Sequence, residues 1–214
     1  MRAIALRGYQ QDAVRAIIDA ISREQKEITV EMATGTGMSV VLASTVEYLQ
    51  KEKNSKILIV TDSINVAEQI SALFLDNYRE IFDTYSGLID IETTKRISEH
   101  SRNADNYYKY IITYNVSKHN KKYKSIHESF NHDALISFQN ISNNGYTENV
   151  VYKYTVQDAV KDAVIIPAVD PRLYDLAIEG FCKRLLEKYN CKSLSEENAK
   201  EMRTWDLVLT NNDK

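Results

Sequence analysis

Proline and glycine are scarce in this chain, 2 and 6 of 214 residues. That scarcity disfavours an all-β fold rich in tight turns and favours helices joined by modest loops. The two cysteines, Cys182 and Cys191, are too few for a disulfide framework and too far apart for a metal knuckle. A reduced, cytoplasmic setting is therefore the expectation. No apolar run approaches the ~18 residues of a membrane span, and Met1–Arg7 lacks the apolar core of a secretory signal. An excess of one charge is missing as well. With 27 basic and 30 acidic residues the net charge is −3, so any surface that attracts nucleic acid must be local. No internal repeat is visible. What the chain does have is 43% hydrophobic residues, enough for one sizeable core with or without an appendage.

The apolar residues are arranged in alternating periods. Val14, Ile17, Ile18 and Ile21 have the spacing of a buried helical face. Ile28–Met32 predicts a short β-branched strand, and Ser39 to about Lys51 returns to a helical pattern. Lys56–Thr61 is a near-continuous apolar run of the kind found in central parallel strands, and residues 65–74 are helical again. Tyr110–Tyr114 and Ala134–Phe138 are further candidate strands, and residues 139–149 have a loop composition. Beyond Pro171, Leu173, Leu176, Ala177, Phe181, Leu185 and Leu186 form an amphipathic stripe, and Trp205–Leu209 is an edge strand or a packed tail. The expected fold is a doubly wound α/β parallel sheet over residues 1–150, with a mainly helical extension over 151–214.

Between the first strand and the next helix lies Ala33-Thr34-Gly35-Thr36-Gly37-Met38-Ser39. Glycines before a helix start let the backbone curl around a phosphate and aim N–H groups and a positive dipole end at it. Thr34, Gly35, Thr36, Gly37 and Met38 would form that cradle, and the Ser39 hydroxyl suits a magnesium ion. Such loops carry a lysine where Met38 stands. A charge-assisted hydrogen bond contributes roughly 1.5–3 kcal/mol, so nucleotide affinity falls by one or two orders of magnitude without it. Transfer chemistry suffers more, because the same cation stabilises charge developing on the phosphates.

These residues, with Leu6–Val14 upstream, resemble superfamily-two helicases and translocases, whose first motor domain has a RecA-like fold. In that family the segment containing Arg7 and Gln10 reads adenine, and an amide can bond the adenine edge bidentately. Ile57–Thr61 resembles the strand leading into the family's DNA-contacting loop, which implies that Thr61, Asp62 and Ser63 meet DNA. Tyr152–Pro167 is similar to a block that follows the first motor domain in type I restriction enzyme motor subunits and related restriction helicases. Those relatives usually have glycine where Ala163 ends a short helix. A left-handed residue there costs a side chain about 1 kcal/mol, which alanine can survive.

The departures concern catalysis. The family's second motif ends a strand in Asp-Glu-Ala-His or a close variant, with the Asp on magnesium and the Glu on the attacking water. The matching strand here, Asp133–Ile141, puts Phe138 and Gln139 at those positions. No Ser-Ala-Thr or Thr-Gly-Thr coupling motif follows, and only about ten residues separate Ile141 from the Tyr152 block. A second motor domain does not fit in the remainder. The resemblance therefore implies a degenerate motor domain: ATP and magnesium binding weakened, hydrolysis lost.

Lys118, Lys121, Lys122 and Lys124, near several tyrosines, form the densest basic cluster and suit double-stranded DNA. His100, His119, His127 and His132 have no metal-like spacing. Two other readings stay open at the level of sequence. One is an active DNA translocase or restriction subunit completed by another chain; the other is a non-catalytic module that binds restriction-modification or other motor subunits.

Overall fold

The computed structural model describes residues 5–85, 87–99, 107–116, 123, 126, 129–141 and 148–165. In chain order its elements are α1 Gly8–Ser22, β1 Glu27–Met32, α2 Met38–Lys53, β2 Ile57–Thr61, α3 Ile64–Asn77 and α4 Arg79–Thr84. They continue as β3 Ile89–Thr93, α5 Thr94–Glu99, β4 Tyr107–Tyr114, β5 Asn131–Asn140, β6 Val150–Tyr154 and α6 Val156–Lys161. The described residues fall into two compact units that divide between Thr155 and Val156.

All six strands belong to one parallel sheet in the order β3-β2-β4-β5-β1-β6. The parallel pairing follows from composition. Every residue of β2 is buried, as is every residue of β1 after Glu27, and strands covered on both faces are mainly apolar. Burying side chains of this size contributes about 1.5–3 kcal/mol each, which makes β1, β2 and the middle of β5 the anchor of the fold.

Two connections, β1 to β2 and β2 to β3, step toward one edge of the sheet, while β3 to β4 and β4 to β5 step back. Crossovers between parallel strands are right-handed, so these two sets lie on opposite faces. One face carries α2 and α3, with α1 packed beside α2. The other is filled by Leu58, Val60, Ile111 and Leu135 of the strands, with Ile97 of α5, Tyr123, Ile126 and Phe130.

Two sequence expectations are corrected. The buried stripe of α1 is Tyr9, Gln10, Ala13, Ile17 and Ala20; Val14, Ile18 and Ile21 flank it half-buried. Ala13 and Ala20 are buried where α1 packs on its neighbours, which include α2, β6 and β1. Gln139 and Asn140 belong to β5, not to a loop, because their backbone is in register with Glu31 and Met32 of β1.

In the second unit, α6 ends with Ala163 in the left-handed region at φ 49°. The Val164 N–H reaches the Ala159 carbonyl at 2.7 Å and the Ala163 N–H reaches Val160 at 2.9 Å, which satisfies the last carbonyls of the helix. The amphipathic stripe from Leu173 to Leu186, Trp205–Leu209, both cysteines, His100, His119 and His127 lie outside the described residues. So do Lys118, Lys121, Lys122 and Lys124.

Candidate functional site

The loop from Ala33 to Gly37 joins the carboxyl end of β1 to the start of α2. Gly35 and Gly37 both have φ near +80°, at 83° and 82°, where a Cβ is strained. At Gly37 there is a second reason. A Cβ there would stand 2.5 Å from Gln10 Nε2, so the side chain from α1 occupies the space a larger residue needs.

Thr36 is the keystone of this turn and is fully buried. Its hydroxyl donates to the Ala33 carbonyl at 2.6 Å, and its carbonyl accepts from the Tyr9 hydroxyl at 2.8 Å and from Gln10 Nε2 at 3.1 Å. The Ala33 N–H donates to the Tyr154 carbonyl at 2.9 Å. The Tyr9 and Tyr154 rings stack in parallel with centroids 4.2 Å apart, tying α1 to β6 beneath the loop. Thr34 and Gly35 face solvent above this brace. The loop's shape is therefore fixed by the protein's own bonds.

Gln10 has both ends of its amide engaged: Oε1 accepts from the Arg7 N–H at 3.0 Å while Nε2 serves Thr36. Arg7 itself is the exposed N-cap of α1. One Nε2 hydrogen and one Oε1 lone pair remain on Gln10 beyond these two bonds. Met38 opens α2 and is buried, 5% exposed. The next residue, Ser39, is half-buried in the first turn of α2. Burial pushes the Tyr114 phenol above its ordinary range, and the Ser39 contact opposes part of that.

At the carboxyl end of β5, Phe138 has zero exposure and lies in register between Val30 and Tyr114. Strand side chains alternate between faces, so Phe138 shares the face of Tyr114, the one that carries α2, and Gln139 turns to the other. Gln139 Nε2 is buried without a hydrogen-bond partner among the described residues. Its register neighbour Glu31 is buried too, and the Glu31 carboxylate is held by Lys153 of β6 at 3.0 Å. Asn115, left-handed at φ 56°, pins the strand end: its N–H donates to the Phe138 carbonyl at 2.8 Å and its side chain accepts from Asn140 N–H at 3.2 Å.

Thr61, Asp62 and Ser63 stand on the same carboxyl edge of the sheet, but β4 and β5 separate their strand from β1. Three inter-strand spacings put them roughly 14 Å along the edge from the loop. Their polar groups make local bonds. Thr61 Oγ1 donates to the Ser63 carbonyl at 3.0 Å, Thr94 Oγ1 to Asp62 Oδ1 at 3.4 Å, and Ser63 Oγ caps α3. The structure thus brings Gln10 onto the loop and leaves Thr61–Ser63 as a separate group. Sequence reasoning missed Tyr9, Tyr154, Tyr114 and the Glu31–Lys153 pair. Only Tyr9 carried a signal, as the neighbour of Gln10. Among the described residues no group of three His, Cys, Asp or Glu could hold a metal ion, and no helix is long and apolar enough to cross a membrane.

Residues 3–140 match the family described as "Type III restriction enzyme, res subunit". A curated relative, the Type I restriction enzyme EcoKI endonuclease subunit of Escherichia coli (strain K12), is 38% identical over 93 residues. That stretch is 43% of this chain and 8% of the relative. A nuclease-deletion mutant of the Type ISP restriction-modification enzyme LlaGI, solved with a DNA substrate mimic, superimposes with a TM-score of 0.59 at 15% identity. The match covers 77% of this chain and 21% of that one. The UvsW helicase from Bacteriophage T4 gives a TM-score of 0.52 at 16% identity, over 64% of this chain and 52% of its own. At these identities the two structures bear on the fold, which is RecA-like.

Proposed function

The chain belongs to the type III restriction enzyme res-subunit family, and from that membership we propose that it is a degenerate motor domain that holds a nucleotide without hydrolysing it. One observation supports the reading: a glycine loop braced by Tyr9 and Gln10 stands beside a strand end that carries Phe138 and Gln139 where the resemblance calls for two carboxylates.

The loop supplies polar backbone with two left-handed glycines at the start of a 16-residue helix, the arrangement that receives phosphate. Gln10 adds the remaining donor and lone pair of its amide toward an adenine edge. Arg7, exposed at the mouth of the same helix, lies within the same segment.

ATP brings magnesium in this family, and the residues do not fit the ion. Magnesium prefers hard oxygen ligands in octahedral order. Ser39 is the one hydroxyl at the start of α2, and the neighbouring strand offers a buried phenyl ring at Phe138 where an acid would be needed. Gln139 presents an amide that cannot take a proton from water, so no general base follows it. Hydrolysis accordingly has neither its metal ligand nor its base, and Met38 removes the cation.

We assign DNA contact to Thr61, Asp62 and Ser63 on the carboxyl edge and to the lysine cluster at 118–124. Double-stranded DNA and the subunits of a restriction-modification motor are the proposed partners, in the cytoplasm. The matched stretch spans 8% of the curated relative's length.

Equilibrium nucleotide binding measured beside steady-state phosphate release tests the proposal. Binding without release is expected. Release that tracks protein concentration, with or without DNA, would show a working ATPase.

A further inference from the structure

We infer that the nucleotide site works without magnesium, taking the free polyphosphate on backbone amides alone, with Tyr114 and Phe138 closing the place where a metal would be held. The inference rests on the proposed retention of nucleotide and adds how the ligand is recognised.

The strand end beside the loop offers a cation a buried phenyl ring and an amide in place of two carboxylates. In register with Tyr114 lies Phe138, wholly buried, on the face that carries α2. The acid nearest in register, Glu31, points to the opposite face and is neutralised by Lys153 at 3.0 Å. Gln139, beside it, buries the donor end of its amide, which repels a cation. Magnesium gives up its water reluctantly, so a metal-chelated polyphosphate would need acceptors for those waters. A phenyl ring and a buried thioether at Met38 offer none.

The donor side of the site has been kept. Tyr9, Gln10 and the Thr36 hydroxyl hold the loop in its curled form through bonds of 2.8, 3.1 and 2.6 Å, with no help from a ligand. Rigidity of this kind lowers the ordering cost of binding and partly offsets the missing lysine. Amide dipoles at a helix start favour the more anionic ligand, and that is the unchelated one.

The test is isothermal titration of the intact chain with ATP, once in excess EDTA and once with saturating magnesium. The expected result is an affinity in EDTA that is tighter than, or within about threefold of, the value in magnesium. A gain with magnesium larger than about threefold overturns the inference while leaving nucleotide retention standing. If neither buffer gives binding, and displacement of a fluorescent ATP analogue is also blank, retention itself fails and this inference goes with it.

Discussion

Thr36 governs the loop more than either glycine does, because four hydrogen-bonding groups from three elements meet on it and on Ala33. Gln10→Ala removes one donor from the Thr36 carbonyl and the acceptor of the Arg7 N–H. The expected loss of stability is about 1–3 kcal/mol, read from urea midpoints. Gly37→Ala should cost a similar amount, from left-handed strain and from the 2.5 Å approach of Gln10. Combined, the two should cost less than their sum, since removing Gln10 opens the space a methyl group needs. Additive losses would show that Gln10 does not fill that space. Lys153→Ala leaves the buried Glu31 carboxylate unpaired. Because Lys153 is half-exposed, water takes up part of the difference, and a loss of about 1–3 kcal/mol is expected. Met38→Lys restores the cation, and with β5 unchanged a phosphate-release assay should remain blank.

At the scale of elements, the proposed loss of hydrolysis turns on β5. Gln139→Glu would set a second carboxylate beside buried Glu31, in register across the strand pair. Like charges at such a distance disfavour ionisation of one of them, so this variant is expected to lose stability and gain no turnover. A hydrolytic Gln139→Glu variant would show that Lys153 can serve both acids. The same strand carries an alkaline marker. Tyr123 bonds Ser137 of β5 at 3.0 Å, and burial raises its phenol from an ordinary value near 10 to about 12. The unfolded chain releases that proton first. Its contribution is fully present below pH 10 and is lost as pH rises through 12. Urea midpoints of the unmodified protein should therefore fall more steeply over that window than those of Tyr123→Phe.

Elements were also where the sequence was most legible. Continuous apolar runs marked β1 and β2, and the glycines of the loop announced the turn between β1 and α2. The α1 stripe was misjudged because alanine and glutamine bury well under tight helix packing, while periodicity weights larger apolar residues such as Val14 and Ile18. Gln139 and Asn140 fell both in a loop by composition and at the end of the candidate strand Asp133–Ile141, and pairing with β1 decides for the strand. Tyr114 could not be assigned to the site at all. It is 75 positions from Ser39, and only the strand order brings β4 beside β5.

Taken as a whole molecule, the parallel sheet keeps the glycine loop, the β2 end and the β5 end on one carboxyl edge, where open α/β sheets hold ligands. On the proposed reading, the fold outlasts turnover because different residues support it. Buried strands and the Tyr9–Tyr154 stack maintain the edge, and none of them needs the lysine or the acids. The central claim is retention of the pocket without its chemistry. Steady-state phosphate release by the purified chain, with ATP, magnesium and duplex DNA at saturation, tests it most directly. The predicted result is no release above that of buffer; sustained release that disappears in a Gly37→Ala variant would contradict it.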